Sequence, residues 1–87
     1  IHPSLLPDYK GLNTHKRVLN DGVQLAGCTT HIVESELDSG QILMQATVPV
    51  LKDDTEELLA KRVLHMEHII FPETLKRIAT NQFIFNK

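Results

Sequence analysis

Ile1-His2-Pro3-Ser4-Leu5-Leu6-Pro7 opens the chain, and Leu37-Asp38-Ser39-Gly40 brings an aspartate thirty-six residues after that histidine. Ile1 reads as the last residue of a strand, and Pro3 and Pro7 as the irregular loop beyond it. A histidine released at a strand end, with an aspartate in a turn further along, forms an acid–base couple. A catalytic histidine sits inside a fold, yet His2 is the second residue here. The expectation is therefore that more chain belongs in front of Ile1. The alternative is a self-standing small α+β domain.

The 87 residues allow one domain, near the small end of what folds alone. Apolar residues make up 41% of the chain, too many for a disordered segment. Tryptophan is absent and aromatic residues are few, so the core must be built from Leu, Ile and Val. A formal net charge of -2 supplies no basic field for nucleic acid and no polybasic patch for a membrane. The apolar runs fall far short of a bilayer span, and no signal peptide is readable at the N-terminus. Cys28 is the single cysteine. An internal disulfide is excluded, and a reducing, cytoplasmic setting is expected.

Pro3 to Asn13 reads as a loop, and Thr14 as the cap of a short helix through Leu19 that Asn20-Asp21-Gly22 stops. Cys28 to Val33 is rich in β-branched residues and predicts a strand, with His31 and Val33 on one side and Thr30 and Ile32 on the other. Ile42 to Val50 alternates Ile42, Met44, Ala46, Val48 and Val50 on one face and predicts a second strand, antiparallel to the first. Asp38-Ser39-Gly40 between them reads as a tight turn. Asp54, with Glu57 three residues on, has the pattern of a capping box. It would open a long helix over about 55–79, with Leu59, Val63, Met66 and Ile70 as its buried stripe. Pro72 is expected to kink that helix, and Gln82 to Phe85 to add a short strand. Two strands and two helices leave little surface for the long helix to cover. The reading is an α/β architecture that is incomplete by itself.

Glu67 stands out, because helical spacing sets it among Ala60, Val63, Ile70 and Phe71 in the apolar stripe. A carboxylate there is paired, reaches solvent at the helix edge, or opens to a cleft that holds ligand hydroxyls, since burying it bare costs several kcal/mol. His31 reads as a structural residue unless it shares a face with His2 and Asp38. His65, Glu67 and His68 lack a metal-binding spacing, with the histidines turned from Glu67, and no metal is expected. His15 is expected on the exposed face of the short helix, and Cys28 in the core as a small apolar residue. The scattered glycines form no phosphate-cradling loop.

Taken together, Ile1 to Pro7, Tyr9-Lys10-Gly11-Leu12-Asn13-Thr14-His15, Gly27-Cys28-Thr29-Thr30-His31-Ile32-Val33, Glu36-Leu37-Asp38-Ser39-Gly40, Glu67-His68 and Phe71-Pro72 resemble phosphoribosylglycinamide formyltransferases. The resemblance runs without gaps over essentially all of residues 1–87, and covers the C-terminal half of that family's single Rossmann-like domain. It implies a strand pair with a long C-terminal helix, and transfer of a formyl group from 10-formyltetrahydrofolate to the amine of glycinamide ribonucleotide in de novo purine synthesis. By resemblance, His2 and Asp38 are catalytic, and His31 supports them. Glu67 binds the substrate ribose, and Pro3 lies by the glycinamide end. Val33, Glu34, Ser35, Glu36, Leu37 and Asp38 belong to the folate-binding loop. The cosubstrate is the folate, and the partners are two small molecules and the N-terminal half of the same domain.

The resemblance also marks a departure. That family places a catalytic asparagine immediately before the Ile-His pair and carries a phosphate-binding glycine loop upstream, and neither lies in this chain. The expectation is negligible transferase activity for residues 1–87 alone. Formyltetrahydrofolate hydrolases share the His/Asp logic, but their segment resembles His-His-Ser-Phe-Leu-Pro rather than the sequence at Pro3 and Leu5-Leu6. Methionyl-tRNA formyltransferases also resemble the chain, which lacks their Arg-Gly signature and basic domain. A non-catalytic folate-binding remnant is the remaining alternative.

Overall fold

The computed structural model describes residues 1–33 and 40–84. Its elements follow in the order α1 (Thr14–Asp21), β1 (Leu25–His31), β2 (Ile42–Pro49) and α2 (Glu56–Ala79). β1 and β2 pair antiparallel, from Leu25 opposite Pro49 to Thr30 opposite Met44, with the register shifting before His31 meets Ile42. Proline at position 49 is tolerated because the next residue supplies the bond across to the other strand, Val50 N–H donating to the Gln24 carbonyl at 2.9 Å. α2 lies across one face of this two-stranded sheet. The result is the strand pair and long helix of a small α/β piece.

The core lies between α2 and the sheet. Val18 from α1, Ala26 and Cys28 from β1, Val48 from β2, and Leu59, Val63 and Ile70 from α2 form one buried cluster, with Met66 and Ala46 against it. The helical stripe read from sequence therefore faces the alternating face of β2. β1 behaves differently: Ala26 through Thr30 are all buried. A strand alternates its side chains between two faces, so continuous burial requires cover on both. α2 supplies one cover, and the loop over residues 2–9 supplies the other. Gly27 records how close that second cover comes. A Cβ there would lie 2.7 Å from Leu5 Cδ2 and against the Ala46 carbonyl oxygen.

Several boundaries differ from the sequence expectation, each for a local reason. β1 starts three residues before Cys28 and ends at His31, because its pairing with β2, rather than β-branching, sets its length. The N-cap of α2 is Thr55, whose Oγ1 accepts the Leu58 N–H at 3.2 Å. Asp54 is not the cap and Glu57 closes no capping box. Asp54 instead accepts the Leu51 N–H at 2.8 Å and two bonds from Arg62, at 2.7 and 2.9 Å. Arg62 also donates to the Pro49 carbonyl at 3.0 Å, tying the end of β2 to α2. Glu56 and Glu57 in the first turn and Lys76 and Arg77 in the last complement the helix dipole.

Asn13 (φ 57°), not Thr14, occupies the N-cap of α1, without a side-chain bond, and Thr14 is buried as the first helical residue. Gly22 (φ 66°) closes that helix by donating to the Leu19 carbonyl. His15 is partly buried rather than exposed, and that burial lowers its pKa against a smaller pull from Glu56. α2 continues through Pro72 without a break; one missing donor is tolerated in twenty-four residues packed along their length. Residues 82–84 form no strand, and the proposed turn at Asp38-Ser39 lies outside the described residues.

The radius of gyration is 13.4 Å, whereas about 12 Å is typical of a closed domain of this length. The principal extents, 41 × 25 × 16 Å, are those of an elongated body. Leu64, Phe71 and Leu75 form a second apolar stripe on α2, each about half exposed at 47%, 45% and 52%. α2 is therefore apolar on two faces, of which the sheet covers one.

Candidate active site

His2 is fixed first through its backbone. Its N–H donates to the Thr29 carbonyl at 2.7 Å, and its own carbonyl accepts the Thr29 N–H at 2.8 Å. This two-bond bridge holds the residue against the edge of β1 that β2 leaves open. The residue is only 6% exposed. Its Nε2 lies 2.8 Å from the Tyr9 carbonyl oxygen. A carbonyl can only accept, so Nε2 carries a proton.

The loop that supplies this carbonyl is ordered by polar bonds rather than by regular structure. Thr29 is its hub, fully buried in mid-strand. Its hydroxyl donates to the Ser4 carbonyl at 2.6 Å and accepts from Leu6 N–H at 3.1 Å and Gln45 Nε2 at 3.0 Å. One donor and two acceptors exhaust a hydroxyl, so burial leaves nothing unpaid at this position. Gln45 also reaches the Leu6 carbonyl at 2.7 Å. Ser4, 1% exposed, donates to the Asp8 carbonyl at 2.6 Å. Around these bonds the Leu6-Pro7 peptide is cis and Tyr9 has φ 54°.

Glu67 lies on α2 at the seam between the sheet-facing stripe and the exposed stripe. It is partly buried, and desolvation raises its pKa, opposed by the N-terminal amino group, His68 and His2. Ile1, Leu64, Glu67, His68, Phe71 and Pro72 line one groove of about 340 Å³. Its walls are apolar and its acceptor is the Glu67 carboxylate, the combination that binds a ligand's apolar body and its hydroxyls. Glu67 also acts electrostatically on Cys28, whose thiol is pushed up to about 11, chiefly by burial. Cys28 is thus a protonated core residue and no nucleophile.

The structure brings His2 and Glu67 into one electrostatic neighbourhood. Pro3 is partly buried in the loop after His2, and His31, partly buried, has its Nδ1 3.0 Å from the Ile32 carbonyl oxygen. Strand alternation gives His31 the same side of β1 as Thr29. Val33 is 83% exposed. Glu34, Ser35, Glu36, Leu37 and Asp38 lie outside the described residues. One correction concerns His68: it lines the same groove as Glu67 instead of facing away from it, since successive helical residues are only about 100° apart. Among the described residues, no three His, Cys, Asp or Glu side chains are grouped to hold a metal. No helix there is long and apolar enough to cross a membrane.

Sequence reading missed the residues that orient His2, namely Ser4, Tyr9 and Thr29. A signal existed for two of them. Ser4 lies between prolines in a segment that must be ordered if His2 acts, and Thr29 is a polar residue within an otherwise buried strand. Tyr9 acts through its backbone, which its side-chain chemistry does not announce.

The family model described as formyl transferase matches residues 1–75. The trifunctional purine biosynthetic protein adenosine-3 of Bos taurus is 51% identical over 80 residues, which are 92% of this chain and 8% of that protein. The crystal structure of phosphoribosylglycinamide formyltransferase from Anaplasma phagocytophilum matches with a TM-score of 0.89 at 54% identity, over 92% of this chain and 38% of that one. A formyltetrahydrofolate deformylase from Pseudomonas syringae pv. tomato matches with a TM-score of 0.92 at 28% identity, over 99% of this chain and 29% of that one. The chain therefore spans well under half the length of these relatives. With its family model covering residues 1–75, the chain belongs to the formyl transferase family.

Proposed function

We propose that residues 1–87 are the C-terminal part of a phosphoribosylglycinamide formyltransferase domain. Such a domain moves the formyl group of 10-formyltetrahydrofolate to the amine of glycinamide ribonucleotide in purine biosynthesis. The observation that carries this reading is the pairing of a buried, backbone-clamped His2 with a partly buried Glu67 beside an apolar groove. His2 acts at the formyl group and Glu67 accepts hydrogen bonds from the ribose hydroxyls. The lone Cys28 is in keeping with a cytoplasmic enzyme.

The chemistry suits these groups. The amine nitrogen attacks the formyl carbon, and the carbonyl electron pair moves onto oxygen. Protonated His2 stabilises that oxyanion, and Asp38, in its proposed role, keeps His2 charged or relays the amine proton. The oxyanion then re-forms its carbonyl as the bond to the folate nitrogen breaks, and the departing nitrogen takes up a proton. Holding both substrates in register supplies much of the remaining acceleration. Pro3 lines the approach of the glycinamide end, His31 supports the pair, and the loop from Val33 to Asp38 contacts the folate. No step requires a metal or a covalent enzyme intermediate. The partners are the two small molecules and the N-terminal part of the domain.

The rival reading passes the same formyl group to water. A carboxylate poised at the groove favours a ribonucleotide acceptor, as does the greater identity to a formyltransferase than to a deformylase, 54% against 28%. The test joins residues 1–87 behind the N-terminal part of the Anaplasma relative and supplies labelled 10-formyltetrahydrofolate. Label is expected on glycinamide ribonucleotide. Equal formate release with and without the ribonucleotide would replace transfer by hydrolysis. Residues 1–87 alone are expected to turn over neither substrate.

A further inference from the structure

The His2 imidazole is held by a carbonyl that is itself held from two sides. On the inner side, the buried Ser4 hydroxyl donates to the Asp8 carbonyl at 2.6 Å and lies 3.3 Å from the Tyr9 carbonyl oxygen. The first contact fixes the Asp8–Tyr9 peptide unit, and the second reaches the Tyr9 carbonyl itself. On the outer side, the Tyr9 phenol donates to Asp21 Oδ2 at 2.7 Å, and the Arg17 guanidinium stands 5.5 Å from the Tyr9 ring centroid. Both anchors belong to α1, whose Arg17 also donates to the Lys10 carbonyl. Tyr9 has φ 54°, a conformation a bulky residue keeps only when its surroundings hold it there. α1 contributes no side chain to the groove beside Glu67, yet it grips the residue that meets the imidazole.

We infer that Ser4 and Tyr9 are positioning residues that fix the tautomer of His2, committing Nε2 as its N–H donor. The catalytic meaning of this assignment rests on the formyl-transfer reading, whereas the tautomer itself does not. A neutral imidazole has one N–H, and a carbonyl acceptor at 2.8 Å demands it at Nε2. The Ser4 hydroxyl cannot serve the imidazole directly, because its proton is spent on the Asp8 carbonyl. Its effect passes through the backbone.

The test is long-range proton–nitrogen NMR of the histidine rings in the 87-residue chain, at a pH where His2 is neutral. The expected wild-type pattern is a single Nε2–H tautomer for His2. Ser4→Ala and Tyr9→Gly are each expected to lose it, giving an exchanging mixture of both tautomers. Tyr9→Gly keeps the φ 54° backbone accessible, since glycine adopts it without strain, while removing the phenol and ring anchors. Methyl signals of Leu59 and Val63 report that the core stays intact. A wild-type Nδ1–H tautomer would overturn the inference, as would folded variants of both kinds that keep the wild-type pattern. If Ser4→Ala does not fold, Tyr9→Gly decides alone. In the fused, complete domain Ser4→Ala is expected to lower kcat by up to about a hundredfold with KM unchanged. A fused wild type that transfers no formyl group would fail the functional reading and leave the tautomer result standing.

Discussion

The hydroxyls of Thr30 and Thr74 meet at 2.8 Å across the interface between β1 and α2. Their proton order follows from their other partners. Thr74 donates to the Ile70 carbonyl at 2.7 Å, which uses its only proton. Thr30 must therefore donate to Thr74, while accepting the Met44 N–H at 3.1 Å where the strand register shifts. Thr74→Val removes the acceptor and leaves the buried Thr30 hydroxyl proton only the Met44 carbonyl oxygen, at a long 3.5 Å. Its expected cost is about 1–3 kcal/mol, read as a lowered urea midpoint. Thr74→Ser keeps the oxygen and is expected to lose about 0.8 kcal/mol, the worth of one buried methyl group.

Gly27→Ala tests the double cover of β1. The new methyl group meets Leu5 Cδ2 and the Ala46 carbonyl oxygen, so either the loop or the strand pair must move. A loss of about 1–3 kcal/mol is expected from overpacking. Because Leu5 belongs to the loop that carries Ser4, amide exchange at Leu6 is expected to quicken before exchange in α2 does.

Asp54 tests the link between β2 and α2 through pH. Its carboxyl pKa is lowered, first by the Arg62 hydrogen bonds and then by the Leu51 N–H. A lowered folded-state pKa contributes stability above the unfolded value of about 3.9, and that contribution is lost as pH falls through the folded value. Asp54→Asn is therefore expected to lower the urea midpoint at pH 7, with the gap to wild type closing as pH drops below about 4. A gap that stays constant down to pH 2 would contradict the assignment.

Cys28 is expected to resist thiol reagents in the native chain at pH 8, because burial holds the thiol protonated up to about 11. Full reactivity is expected on adding denaturant. Rapid labelling of the folded chain would place the thiol at the surface and contradict the packing of the core cluster.

Much of the fold was legible because periodicity carries it. Leu59, Val63, Met66 and Ile70 at helical spacing, facing Met44, Ala46 and Val48 at strand spacing, define the helix, the strand and the face where they meet. Helix starts were less legible. Asp54 and Thr55 are both competent caps, and the Leu51 N–H together with the Arg62 guanidinium, eight residues on, takes Asp54 out of contention. The site divided in the same way. His2 and Glu67 show in sequence because a histidine beside a proline-bounded loop and a carboxylate in an apolar stripe break local pattern. The Tyr9 carbonyl does not, since every residue has one and only the turn decides where it points.

The central claim is that His2 and Glu67 belong to a formyl-transferring site completed by an N-terminal partner segment. The most direct measurement is the rate of formyl transfer to glycinamide ribonucleotide by residues 1–87 joined to the N-terminal part of a relative, with His2 present and with His2→Asn. Transfer by the first, falling by about a hundredfold or more in the second, is predicted from the loss of an oxyanion-stabilising group. A folded fusion that transfers equally well without His2 would contradict it.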